Sequence, residues 1–126
     1  MNFKEQGNLI EEFEDSEAYV RIIVIDTDRI SKPHFHYQRM DHKTNKEVFV
    51  TWILLEEAEY MSHKNKAAQK LKEEWLNKLV RSLNQLHPKY KVPIWEYMVD
   101  IWNGGIGNVT VKDDVVYPDY TALVTE

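Results

Sequence analysis

The chain predicts an α+β fold: an antiparallel meander of three or four strands, with one long and one shorter helix packed on a face. Three β-rich segments lie between residues 18 and 55, and the connections joining them are too short for parallel crossovers. A stripe of leucine and tryptophan at spacings of three and four then marks a long amphipathic helix. Proline and glycine punctuate the remaining third, where a second helix would begin and end.

The first 17 residues are acidic, with Glu11, Glu12, Glu14, Asp15 and Glu17, and form a segment expected to pack loosely. Leu9, Ile10 and Phe13 are enough to pin a short helical turn or an edge strand to the body. Residues 18–26, AYVRIIVID, are apolar and β-branched, as in a strand covered on both faces. TDRIS is a turn, and Pro33 opens the next element. From His34 to Met40 the residues alternate, and MDHKTNK supplies the polar turn of a hairpin. Residues 47–55, EVFVTWILL, read as the third strand.

Leu71, Trp75, Leu79, Leu83 and Leu86 mark one face of the long helix, widened by Leu76 and Val80. Ser62 or Asn65 would cap its start and Pro88 would end it. Pro93 suits a first helical turn, and Ile94, Tyr97, Met98 and Ile101 form the face of a second helix that stops at Asn103-Gly104-Gly105. Val109–Val111 is a candidate short strand, followed by a turn at Tyr117-Pro118-Asp119-Tyr120. No repeat or linker divides the 126 residues, which fit one compact domain.

Composition narrows function more than it defines it. Hydrophobic residues make up 43% and aromatics 12%, a globular balance. There is no cysteine, which excludes disulfides, thiolate metal sites and cysteine nucleophiles, and fits a reducing cytoplasm. No apolar run approaches the length of a membrane span, and the acidic N-terminus lacks the layout of a signal peptide. A net charge of −5 argues against a dedicated nucleic-acid binder. Residues 64–91 nevertheless carry eight Lys or Arg against Glu73 and Glu74. That basic face, with Lys70 and Arg81, suits an acidic partner; its plainer explanation is a solvated helix surface.

The stretch KPHFHYQR raises the main chemical question. On a strand Phe35 would turn into the core while His34 and His36 share the opposite face. Two imidazoles two residues apart can bind one metal, and Asp26 and Asp28 repeat that spacing at the end of the preceding strand. With His63 as a third imidazole, a site for Zn, Mn or Fe is chemically sensible. Against it stands the ordinary occurrence of His, Gln and Arg on a wet sheet face, which leaves no cofactor at all. A cupin-like site would need a nearby Glu framed by glycines, but Glu47 comes only after a turn and no glycine lies between Gly7 and Gly104. His34-Phe35-His36-Tyr37-Gln38 fits the opening of a histidine-triad motif with His36 as nucleophile, and Arg39 then breaks it. The glycines of GGIG follow a helix, the wrong order for a phosphate cradle.

The order of strand, Pro33-His34-Phe35-His36-aromatic, strand and long helix resembles small bacterial and phage domains of unknown function that carry Pro-Pro-His-Phe-His. Glu59-Tyr60 with His63, Trp102-Asn103 and Pro118-Asp119-Tyr120 resemble the later parts of such proteins, with Lys32 here in place of the first proline. The resemblance implies a phage- or bacterium-encoded accessory protein of the cytoplasm. The preferred expectation is therefore a non-enzymatic protein that binds a partner protein or itself, modulating a host factor. Tyr117 and Tyr120 are the aromatics expected to be exposed for that purpose, and Lys70 and Arg81 of the basic stretch are further candidate contacts. The alternatives are a metal-binding protein or metal-dependent hydrolase using the histidine pair, and a nucleic-acid-associated protein using the basic helix.

Overall fold

The computed structural model describes residues 8–25, 32–62, 66–104, 111 and 115–123. Four strands, β1 (Asn8–Glu14), β2 (Tyr19–Val24), β3 (His34–Met40) and β4 (Glu47–Leu54), precede two helices, α1 (Glu73–Asn84) and α2 (Ile94–Asn103), and a 3-10 turn at Tyr120–Leu123. The strands form one antiparallel sheet in the order β1-β2-β3-β4, so every neighbour in sequence is a neighbour in space. The acidic N-terminal segment thus supplies an edge strand over residues 8–14, held to β2 from Asn8↔Val24 to Glu14↔Tyr19.

The hairpin between β3 and β4 closes on Asp41. Its carboxylate accepts hydrogen bonds from the Thr44 N–H and hydroxyl, while Asn45 takes φ 58, a conformation asparagine tolerates. The register then sets Tyr37 opposite Thr51 and Phe35 opposite Ile53 on the core face, and His36 opposite Trp52 on the other. Val20, Ile22 and Val24 continue the core face through β2. Leu76, Leu79 and Leu83 of α1 and Ile94, Trp95 and Met98 of α2 complete the same apolar cluster.

The long helix is shorter than its leucine stripe implies. Lys72 stands at its N-cap and Gln85 at its C-cap, so Leu71 and Leu86 lie outside it. Leu71 is nevertheless buried, and its N–H donates to the Tyr60 hydroxyl at 2.8 Å instead of entering the helix. Of the two expected caps, Ser62 sits in no helix and Asn65 lies outside the described residues, as do Val109 and Thr110 of the candidate strand. Glu73 and Glu74 in the first turn and Arg81 in the last favour the helix dipole.

Arg39 departs most from its expected place on a wet face. Its side chain is 2% exposed. Nη1 and Nη2 of the guanidinium donate to the Asp15 carboxylate, at 2.7 and 2.9 Å, and Nη1 also donates to the Tyr37 hydroxyl at 3.1 Å. The cation lies 3.9 Å from the ring centroid of Trp75 on α1. Burial works to raise the Asp15 carboxyl pKa. The bonds from Arg39 and from the Glu17 and Ala18 N–H groups overcome that and hold it at about 2. Burial pushes Tyr37 up to about 12 despite the neighbouring cation.

Removing one partner of such a pair strands the other in the core. Asp15→Asn is expected to lower stability by about 3 kcal/mol in urea denaturation. Because the folded carboxyl titrates below the ordinary value, its contribution is complete above about pH 4 and disappears as pH falls towards 2. Wild-type stability should fall across that interval more steeply than that of the Asn variant.

Candidate functional site

The structure brings His34 and His36 together. Their ring centroids are 5.2 Å apart with planes tilted by 31°, on the sheet face opposite Phe35. That face is not wet at this end. His34 is fully buried and His36 is 9% exposed, because Trp52 and Ile23 flank His36 across the strands and Trp102 of α2 lies 5.5 Å from His34. Only further along β3 does polarity return, where Gln38 donates to Glu47 at 2.9 Å.

His34 Nδ1 lies 2.7 Å from the Lys32 carbonyl oxygen. A carbonyl only accepts, so Nδ1 carries the proton, and in the neutral ring Nε2 presents the lone pair. This arrangement is the usual orienting contact of metal-binding histidines. Asp26, Asp28 and His63, the remaining expected ligands, lie outside the described residues. Among the described residues no group of three His, Asp or Glu side chains is placed to hold a metal.

Of the expected contact residues, Tyr120 is buried rather than exposed. Its hydroxyl donates to the Leu54 carbonyl at 2.7 Å, lies 3.2 Å from the Leu55 carbonyl and receives Trp95 Nε1 at 3.3 Å. Strand β4 ends there with carbonyls that no further described strand takes up, and a phenol supplies a donor. Burial pushes its pKa far above the ordinary tyrosine value. Tyr117 is half-buried against Trp95, and burial pushes it up to about 12. Lys70 and Arg81 are exposed, the first before α1 and the second on it.

A surface with no counterpart in the sequence expectations lies between the helices. Residues 85–94 fold back on themselves through bonds from His87 N to Val92 O (2.7 Å), Lys91 N to His87 O (2.9 Å) and Ile94 N to Gln85 O (2.8 Å). Lys91 takes φ 60 to allow the reversal. His87 Nδ1 accepts the N–H groups of Lys89 and Tyr90, and its ring rests against both Tyr90 and Tyr97, at 4.9 and 4.3 Å. Tyr90 and Tyr97 are nearly parallel at 5.4 Å, with the Lys89 ammonium 5.3 Å from the Tyr90 ring. The result is a knob on which Tyr90 is 52% and Leu86 60% exposed. Proline near both ends, Pro88 and Pro93, is the available signal, and in the sequence it reads as helix punctuation alone.

No protein-family model, curated protein or solved structure matches this chain. None of the described helices is long and apolar enough to cross a membrane.

Tyr120→Phe would leave the Leu54 carbonyl without its donor in a dry core. The expected loss is about 1–2 kcal/mol, read from thermal unfolding, with the sheet signal in circular dichroism retained.

Proposed function

We propose that this is an accessory protein of a phage or bacterium that binds another protein in the cytoplasm and modulates that partner. The observation carrying the reading is the knob, where aromatic and aliphatic surface stands in water on a backbone closed by its own hydrogen bonds. Such preorganised aromatic groups form the hot spots of interfaces, because little freedom is lost when they dock. Lys89 and Lys91 beside Leu86 and Tyr90 select a partner whose apolar pocket has an acidic rim. The likeness of the element order to phage and prophage proteins, and the lack of cysteine, support the origin and compartment. The basic residues of α1 favour protein over nucleic acid: Lys78 donates to the Glu14 carbonyl and Lys72 lies over Trp75, so neither is spread along a phosphate-binding track.

A photo-crosslinking side chain at position 90, expressed in the producing cell, tests this. One stoichiometric protein adduct is expected. Leu86→Asp combined with Tyr90→Ser should weaken its binding roughly 30-fold, the scale of a hot spot, with folding unchanged. Equal binding by the variant, or no adduct, removes the reading.

The contact between His34 and Lys32 favours a second reading, in which His34 and His36 hold a transition metal. Imidazole donors favour zinc or iron over manganese, and Asp26, Asp28 and His63 are the sequence's candidates for the remaining positions. Elemental analysis of untagged protein should then find one metal per chain, lost in His34→Ala with His36→Ala. A metal-free wild-type protein that also fails to take up zinc by calorimetry disposes of it.

A further inference from the structure

A four-stranded open sheet has two edges, and this protein treats them differently. The end of β4 is covered by the chain's own residues 59–61, through bonds from Leu54 N to Glu59 O (3.0 Å) and Met61 N to Trp52 O (2.9 Å). Along β1 no described strand lies on the outer side. Open hollows flank β1 instead. One of about 540 Å³ is bordered by Glu12, Phe13, Glu14 and Tyr19. Two more, of about 230 and 450 Å³, run between β1 with its following turn and α1, and share Lys78 and Arg81 as walls.

We infer that β1 is an acceptor edge for an extended, lysine- or arginine-bearing segment of a partner protein, which adds a fifth strand beside α1. Main-chain pairing is the usual basis of such strand addition. Two observations specify the occupant. The hollows are walled by Glu11, Glu12, Glu14, Asp15, Glu17 and Glu74 against Lys78 and Arg81. Arg39 answers Asp15 and lies 3.6 Å from Glu17, and Arg21 lies 3.7 Å from Glu12, yet these six carboxylates still outnumber the four cations Arg21, Arg39, Lys78 and Arg81. A second copy's β1 would set glutamates against glutamates, so it is disfavoured, and a basic strand is selected. Independently, Ser82 Oγ on α1 is buried, lines the smaller hollow and has no hydrogen-bond partner. A buried hydroxyl without a partner is a standing penalty that a chain lying in the hollow would relieve.

Geometry also sets the pattern of the incoming strand. Glu12 and Glu14 point to one face and Phe13 to the other, so basic residues should alternate with apolar or hydroxyl residues. Lys78 already donates to the Glu14 carbonyl, which marks where the added strand must stop. This surface meets the knob at Gln85, but neither Leu86 nor Tyr90 lines the hollows, so either can fail alone.

The probe is a short peptide alternating lysine with valine and threonine, titrated into the full chain by fluorescence anisotropy. Binding should weaken at least about tenfold when alternate peptide amides are N-methylated, and likewise when Glu12→Lys is combined with Glu14→Lys. Ser82→Ala should weaken it about fivefold, the scale of one hydrogen bond. The Leu86→Asp, Tyr90→Ser variant should bind the peptide unchanged. Equal binding of the N-methylated peptide would reduce the effect to charge attraction and overturn the inference. No binding at all, or a dimer joined through β1 in sedimentation, would overturn it too.

Discussion

The buried guanidinium of Arg39 is the constraint on which the architecture turns. A charge that far from water is tolerable only where its donors are engaged by fixed partners. Its partners come from separate parts of the chain: Asp15 from the β1–β2 turn, Tyr37 from its own strand, and the face of Trp75 from α1. Asp15 is itself fixed by accepting the N–H groups of Glu17 and Ala18. The geometry of one cation therefore dictates how the edge strand turns into the sheet and where the helix lies above it. An apolar residue at that position would fill the space without demanding that arrangement.

From that corner the fold divides labour between its two ends. Near Arg39 the sheet edge is acidic and open, bordered by α1. At the opposite end of β3 the histidine pair sits among tryptophans, and the terminal carbonyls of β4 are satisfied by a tyrosine from the C-terminal turn. The helix connection is a self-bonded loop whose first residue, Gln85, borders the smaller acidic hollow. One small domain thus carries an open acidic edge, a buried histidine pair and a loop whose Tyr90 is the most exposed of the described Phe, Trp and Tyr residues.

Local pattern reveals the strands well. β3 spans His34–Met40 as its alternation implies, and β4 ends at Leu54, one residue short of the apolar run. Strand periodicity also places the two imidazoles on one side of the sheet. What pattern does not reveal is set by contacts between distant residues. Whether the histidine face is wet depends on Trp102, 68 residues beyond His34. The burial of Arg39 depends on an acid 24 positions earlier. Leu71 and Leu86 keep helical spacing yet lie beyond the helix, because Tyr60 captures one amide and a backbone reversal takes the other end. Tyr120 misleads for a related reason: a phenol beside proline and aspartate looks like surface until the unsatisfied strand end it serves is known.

The tyrosine at 120 has a consequence for the time order of synthesis. The carbonyls it answers belong to residues 54 and 55, some 65 positions earlier in the chain. While the ribosome is still making the second helix, the finished sheet must wait with that corner unsealed. The contact that closes it can form only once residue 120 has cleared the exit tunnel, so this corner is sealed long after the strand it serves has been made.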